Sequence, residues 1–201
     1  MKQTLFILLF SFFLIQCNNS ANFDAKKLNI QGLQYLQKGE EYLAIYSFKS
    51  ALKIGKHDKP EETNFWRNLG IAYKQRYYRD TVIYFHDSDS AKNSFLTAAN
   101  LNDKNSFQYQ INMADAYLVE NKINTAILYL ENAWRIDKNN ISVNNVLGLI
   151  YLGENGMSYF NPSKALEHNL KAYKLSPNRL SKYVVAKNYF YLKNYLTAET
   201  L

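Results

Sequence analysis

The sequence predicts an all-α fold, a right-handed α-solenoid of antiparallel helix pairs, and three observations lead to it. One tyrosine recurs at intervals of 38, 44, 34 and 38 residues along the 201-residue chain. An alanine follows each of these tyrosines, after 9, 18, 9, 14 and 9 residues. The composition, with 17 Tyr and 12 Phe but only 7 Gly and 3 Pro, suits long helices with aromatic side chains between them. A period of this length is typical of stacked helical hairpins.

The first helix of each predicted hairpin carries apolar residues at helical spacing and ends near the tyrosine. Trp66, Leu69 and Tyr73 lie three and four residues apart, on one face of a helix. Gly70 lies beside that stripe and costs about 1 kcal/mol relative to alanine, so we expect a neighbouring helix to approach closely there. The other copies are the stretch 145–151 with Gly148, Gly32 with Tyr35, Met113 and Ala114 with Tyr117, and Val185 and Ala186 with Tyr189.

The second helix of each hairpin opens with the alanine, adds a bulky residue four positions on and a small one three positions later. Small residues let two helices approach, and the bulky one fills the groove between them. Asn169 is polar where the other copies are bulky. The four sets are Ala44, Phe48 and Ala51; Ala91, Phe95 and Ala98; Ala126, Leu130 and Ala133; and Ala165, Asn169 and Ala172.

These motifs resemble the tetratricopeptide repeat (TPR), whose 34-residue unit reads W…LG…Y…A…F…A…P. The stretch from Trp66 to Tyr73 is the best copy of the first helix, and Pro177 stands at the closing proline of the fourth unit. The resemblance covers about 25–201 and implies four complete units and a partial fifth. Their predicted ranges are 25–58, 63–104, 107–140, 141–178 and 179–201.

Two units contain insertions in the predicted turn between their helices, which places both on the same edge of the solenoid. The first, over 75–90, has no helical stop before His86, so we expect an overlong first helix and a short loop. The second, over 153–163, is rich in helix breakers and is predicted to be a loop. Asn161, Pro162 and Ser163 then resemble a helix start.

The last unit is expected to leave apolar side chains partly uncovered, because Ala198 stands only three residues before Leu201. Two explanations stay open: the chain is a fragment, or this end docks against another molecule. The side chains concerned are Phe190, Tyr191, Tyr195 and Leu196.

Residues 1–17 are predicted to be a signal peptide. Lys2 precedes an apolar run over 5–15, which is too short to span a bilayer but has the length of a secretory signal core. The following Leu14-Ile15-Gln16-Cys17 resembles a bacterial lipobox, with Gln16 where a small residue is usual. The signal predicts export, and the resemblance implies acylation of Cys17, the only cysteine, which would anchor the chain at the periplasmic or outer-membrane face. A short linker is predicted over 18–24. The alternative is a cysteine that ends an ordinary signal.

The formal net charge of +7 is spread along the chain, with no run that resembles a basic arm. This pattern favours a solvated surface over a nucleic-acid site, so we expect no nucleic-acid partner.

No constellation of residues indicates catalysis, so we predict a non-enzymatic protein without metal or cofactor. The cluster 86–89 (His-Asp-Ser-Asp) lacks the convergent partners of a catalytic triad and the closing glutamate of a calcium loop. It is interpreted as a loop whose Asp and Ser cap a helix. His57 and His168 have no second ligand at metal-binding spacing. Four carboxylates are expected only to favour helix dipoles: Glu40, Glu41, Glu61 and Glu62.

The TPR resemblance implies that the first helices line a concave groove that holds a peptide or a helix. An amide both donates and accepts hydrogen bonds, so such a face can bind a peptide backbone. Asn68 and Asn112 occupy equivalent positions in two units. The alternative for these asparagines is that they are solvated surface residues. The implied polar binding residues are Asn29, Asn64, Arg67, Asn68, Gln108, Asn112, Asp115, Asn145 and Lys187.

The predicted function is a protein–protein interaction scaffold of the bacterial cell envelope, held at the membrane by a lipid on Cys17. It would bind a peptide or protein partner on the concave face. The alternative is an architectural or regulatory TPR segment of a larger exported protein.

Overall fold

The computed structural model describes residues 24–54 and 57–200, which form ten α-helices and no β-strand. This confirms the predicted all-α class of helix pairs. Cys17 and the rest of the predicted signal lie outside the described residues. Within 24–54 and 57–200, no helix is both long and apolar enough to cross a membrane. The helices are α1 (24–37), α2 (Glu41–Lys53), α3 (Lys59–Arg79), α4 (Asp87–Asn100), α5 (Phe107–Val119), α6 (Ile123–Ile136), α7 (Ile141–Tyr151), α8 (Pro162–Leu175), α9 (Arg179–Tyr191) and α10 (Tyr195–Thr200).

Three hairpins, α1–α2, α5–α6 and α9–α10, share one tight turn, and this turn explains the nine-residue step from tyrosine to alanine. In each, the amide of the residue directly after the two-residue turn donates to the carbonyl of the tyrosine at 2.9 Å. The residue just before that amide is left-handed, which closes the end of a helix in the usual way. The bonds run from Glu40 to Tyr35, Lys122 to Tyr117 and Asn194 to Tyr189, and the left-handed residues are Gly39 (φ 73), Asn121 (φ 56) and Lys193 (φ 60).

The first insertion lengthens α3 to 21 residues, as expected, and ends in a short turn over 80–86. Asp80 stops the helix: its Oδ1 accepts the backbone N–H groups of Val82 and Ile83 at 3.0 and 2.9 Å. A side-chain acceptor of this kind holds the chain in a turn and competes with the helix.

The second insertion is the predicted loop, and it contains one 3₁₀ turn, Met157–Tyr159. Gly153 (φ 86) and Gly156 (φ 124) take backbone conformations that side-chain-bearing residues rarely adopt. Asn161 ends the loop: its N–H donates to the Tyr151 carbonyl at 2.7 Å, and its side chain accepts the N–H of Lys164 at 3.1 Å. The predicted helix start at Asn161 and Pro162 is therefore confirmed.

The glycines of the first helices face the bulky residues of the second helices. A methyl group on Gly70 would stand 2.8 Å from the Phe95 ring, and one on Gly32 would stand 2.5 Å from the Phe48 ring. Both rings are fully buried. The close approach expected at Gly70 is thus confirmed, and its cause is an aromatic ring.

The described helices divide into two compact units, one with α1–α4 and the other with α5–α10. In the first, α2 packs on α3 and α3 on α4, and a small cluster of Ala25, Ala51 and Phe65 joins α1, α2 and α3. In the second, consecutive helices from α5 to α10 pack on one another. Its core includes Leu130, Val143 and Leu147.

Two carboxylates that were expected only to favour helix dipoles make ion pairs instead. Glu41 is buried and accepts a hydrogen bond from Arg79 Nη2 at 2.6 Å, and the same Nη2 donates to the Gly39 carbonyl at 2.6 Å. Glu61 pairs with Lys26 at 2.5 Å, joining the start of α3 to α1. The expectation was wrong because these partners lie 35 to 38 residues away in sequence.

Candidate functional site

In the α1–α4 unit, the predicted binding residues lie on α1 and α3, and two of them bond to each other. Asn68 Nδ2 donates to Asn29 Oδ1 at 2.9 Å, so this pair of amides spans the two first helices. Both side chains are half-buried, as is Arg67, while Asn64 is exposed at the start of α3. A ligand that uses the Asn68 amide must therefore share or replace the bond to Asn29.

In the α5–α10 unit, Gln108 and Asn145 are exposed on α5 and α7, but Asn112 and Asp115 are not available to a ligand. Asn112 is 0% exposed and Asp115 is buried. The assignment of these two residues to an open face was wrong, because α5 buries a broad arc that runs from Asn112 to Ala116. The equivalence of Asn68 and Asn112 in sequence does not extend to their exposure.

Lys187, on α9, is held by the second insertion. Its Nζ lies 2.7 Å from Glu154 Oε1 in the loop that follows α7. This hydrogen bond raises the pKa of Lys187. The ammonium group also lies 5.9 Å from the centre of the Tyr191 ring. A partner would meet this lysine as half of an ion pair.

A cleft of about 280 Å³ lies between α7, α8 and α9, and Asn145 forms one of its walls. The sequence analysis did not predict this cleft. Its one signal in the sequence is Asn169, a polar residue at a position that is bulky in the other copies, which forms part of the cleft wall. Asn169 is only 3% exposed, whereas Leu180 is widely exposed. The lining residues are Asn145, Leu149, Asn169, Asn178, Leu180, Ser181 and Val184.

A wider groove of about 580 Å³ runs between α9 and α10. Tyr183, Phe190 and Tyr195 line it together with Lys187. The expectation that aromatic side chains near this end remain partly uncovered is confirmed, since Phe190 and Tyr195 are both more than half exposed.

His86 directly precedes α4 and residues 87–89 form its first turn, so the prediction of a loop with capping side chains was wrong. No side chain caps α4 at His86. Asp87 is instead buried and accepts two hydrogen bonds from Arg76, at 2.5 Å from Nε and 2.9 Å from Nη2. The hydrogen bond raises the pKa of Arg76, whose guanidinium lies 5.1 Å from the centre of the Tyr84 ring. This bidentate pair fixes the first insertion to α3.

His168 belongs to a buried polar cluster in the α5–α10 unit. Its Nδ1 is 3.1 Å from Asn144 Oδ1, and its ring stacks on Tyr151 with centroids 6.0 Å apart. Tyr151 donates to Glu131 Oε1 at 2.7 Å. Burial lowers the pKa of His168, whereas burial and then the Glu131 hydrogen bond raise the pKa of Tyr151. Each polar group serves a neighbour in the core, so the cluster supports structure.

The part of the chain that the structure describes contains no group of three or more His, Cys, Asp or Glu side chains that could hold a metal ion. The candidate binding surfaces are the exposed first-helix residues of each unit and, in the α5–α10 unit, the α7–α9 cleft and the α9–α10 groove. They offer amides and apolar surface, which suit binding of a polypeptide.

No protein-family model and no curated protein matches the chain. Solved structures of MamA are similar to it. A MamA double mutant (RS-1 ArsTM) is 19% identical over 88% of this chain and 89% of that chain, with a TM-score of 0.55. MamA 41-end from Desulfovibrio magneticus RS-1 is 19% identical over 88% and 90%, with a TM-score of 0.55. A crystal structure of MamA is 20% identical over 84% and 88%, with a TM-score of 0.53. At these identities the likeness shows the fold alone, which is TPR-like.

Proposed function

We propose that the chain is a non-enzymatic scaffold that binds a peptide or protein segment through its first helices. It acts in the bacterial cell envelope as an exported protein with a lipid on Cys17. The observation that carries the proposal is the surface of α7, where the exposed Asn145 lies at the edge of a cleft with apolar walls. Stacked helical hairpins present such surfaces to partners far more often than they perform chemistry.

The polar residues that remain exposed support this role. Asn64, Gln108 and Asn145 each lie on the first helix of a hairpin. Their amides supply a donor and an acceptor without charge, which is the complement of a peptide bond. The second helices are different, because their small and bulky residues are used in packing, as Ala91 and Phe95 illustrate.

Site-specific photo-crosslinking in intact cells tests the first-helix assignment. A photoreactive residue is placed at Asn64, Gln108 or Asn145, and matched controls are placed at exposed second-helix positions: Lys53, Asn124 and Lys171. We expect one partner to be captured repeatedly from the first-helix positions and not from the controls. Equal capture from both sets would contradict binding by the first helices.

Anchoring is tested separately by labelling cells with a fatty acid. We expect the wild-type chain to take up the label and the Cys17→Ala variant to lose it, together with its sedimentation with membranes. Equal labelling of the two chains would reject the lipid anchor and leave the binding proposal intact.

A further inference from the structure

One hairpin breaks the rule that a bulky side chain fills the groove beside the first helix. Phe48, Phe95 and Leu130 occupy this position in the first three hairpins, and all three are buried. Asn169 occupies it in the fourth, against Gly148 of α7. A methyl group on Gly148 would overlap the Asn169 amide, so the amide takes the place that an aromatic ring has beside Gly70.

The replacement of a bulky apolar side chain by the Asn169 amide has two local consequences. The smaller side chain forms part of the wall of the α7–α9 cleft. Asn169 is only 3% exposed, and its Nδ2 has no hydrogen-bond partner within the described residues. A buried donor without an acceptor is unfavourable, and Nδ2 itself has almost no accessible surface. A rotation of the amide that brings Nδ2 to an oxygen supplied from the cleft would therefore be favoured.

The remaining walls define the chemistry of a ligand. Leu149, Leu180 and Val184 provide apolar surface. Asn178 and Ser181 are already used, because they form the capping box of α9 through bonds of 2.9 and 3.1 Å. Among the residues that the structure describes, no charged side chain lines the cleft. Neither an anion nor a cation would find a counter-charge, and a neutral group with one carbonyl acceptor fits best.

We infer that this cleft binds a neutral stretch of partner polypeptide, with an apolar side chain against Leu149, Leu180 and Val184. The backbone carbonyl next to that side chain accepts a hydrogen bond from Asn169 Nδ2. Asn145, exposed at the edge of the cleft, is free to bond to the next peptide group. This inference rests on the proposed function and names the class of ligand that the fourth hairpin selects.

The size of the cleft agrees with a ligand of this kind. A space of about 280 Å³ is at the small end of ligand sites, which hold whole cofactors or drug-sized molecules at about 300–1,000 Å³. One apolar side chain with its adjoining peptide groups is therefore the unit that it can enclose.

The test uses the full chain in detergent, with its asparagine side chains labelled with ¹⁵N, and N-acetyl-leucine N-methylamide as the probe. We expect a saturable shift of the Asn169 side-chain resonance, and weaker binding of the anionic N-acetyl-leucine. An unchanged Asn169 resonance up to the solubility limit of the neutral probe would overturn the inference, and so would equal binding of the two probes.

Two variants separate binding from folding. Asn169→Leu places at this position the residue that the third hairpin has at Leu130, so we expect a folded protein that binds the probe about tenfold more weakly or worse. Binding in the variants is followed on the side-chain resonance of Asn145, at the edge of the cleft. Leu149→Ala trims an apolar wall and should also weaken binding. Asn124→Leu, on the exposed surface of α6, is the matched control and should bind like wild type. Wild-type affinity in Asn169→Leu would reject the role of the amide.

Photo-crosslinking then distinguishes this inference from the proposed function. If the partner captured at Asn145 in wild type is captured equally in the Asn169→Leu variant, the cleft assignment is wrong and the scaffold proposal stands. If the probe binds but none of the three first-helix positions captures a partner, the scaffold proposal fails and the chemistry of the cleft stands.

Discussion

The second and fourth hairpins share the same arrangement of helices but differ in the side chain that packs against the glycine of the first helix. Both carry a glycine in the middle of the first helix, Gly70 and Gly148, and both contain an insertion between their helices. The second hairpin fills the space beside its glycine with the Phe95 ring, whereas the fourth places the Asn169 amide there. The aromatic filling maximises apolar burial, and the amide gives up part of that burial for a cleft and a hydrogen-bond donor.

The insertions differ in the same direction. The turn after α3 is fixed by Arg76 and Asp87, a pair whose side chains are only 17% and 9% exposed. The loop after α7 is tied to α9 by Glu154 and Lys187, whose side chains are 49% and 29% exposed. The second hairpin is thus built for rigidity, and the fourth keeps its interactions nearer to solvent.

The largest expected effect comes from emptying the aromatic position. Phe95→Ala should destabilise the α3–α4 hairpin by about 3–5 kcal/mol, because the ring is fully buried and leaves a cavity. Asn169→Ala should cost far less, since it also removes an unsatisfied donor. Hydrogen exchange, followed on peptides from each hairpin, measures both changes. Similar losses in the two hairpins would show that their fillings are equivalent.

The ion pairs of the insertions give the next effect. Arg76→Gln should cost about 2–3 kcal/mol, somewhat less than the loss of a partner from a fully buried pair, because it strands the Asp87 carboxylate. Lys187→Gln, its counterpart in the fourth hairpin, should cost at most about 1 kcal/mol, as exposed pairs do. The urea midpoints of the two variants measure these losses of stability. A larger loss for Lys187→Gln would show that the fourth hairpin, and not the second, has the more strongly fixed insertion.

A methyl group on the glycine of the fourth hairpin should have an intermediate effect. Gly148→Ala gains helix propensity but overlaps the Asn169 amide, for a net loss of about 1–2 kcal/mol. The double variant Gly148→Ala/Asn169→Ala removes the overlap and should recover most of this loss. A double-mutant cycle in thermal unfolding measures the coupling, and simple additivity would show that the two residues do not compete for space.

The smallest expected effect is a pH dependence confined to the fourth hairpin. Burial lowers the pKa of His168 below its usual 6.5, while Glu167 and Glu131 oppose the shift and Lys164 adds to it. The unfolded chain therefore binds more protons at low pH. The stabilisation is present above about pH 6.5 and is lost as the pH falls through that value towards the folded pKa. Unfolding between about pH 8 and about pH 5 should show the decline, and His168→Gln should flatten it. A decline of the same size in that variant would assign the effect to other groups.

The repeat pattern predicted the fold because packing and turns obey local spacing. The step from Tyr117 to Ala126 is nine residues because one hydrogen bond and one left-handed residue, Asn121, close the turn. Gly70 marked a close approach because a glycine in a helix interior has no other local advantage. These are short-range rules, and they can be read from a single sequence.

The candidate site was harder to predict because it depends on partners distant in sequence. Asn68 bonds to Asn29, 39 residues away, and Lys187 pairs with Glu154, 33 residues away. Helical periodicity gave Asn112 the same role as Asn68, yet it cannot tell how wide an arc of α5 is buried. Asn169 was visible as an irregularity of the repeat, but its unpaired donor is a property of the packed structure.

The tight turns and the two long turns also differ in whether extra residues can be inserted into them. Turns closed through a tyrosine carbonyl and a left-handed residue leave no slack, so extra residues there would break the end of a helix. The two long turns leave Val82 and Met157 more than two-thirds exposed, so we expect them to accept additional residues. An epitope tag or a fluorescent reporter placed between Asn155 and Gly156, or after Ile83, would therefore label the folded protein at its edge, and the pair of sites offers a ready donor and acceptor for measuring distances in living cells.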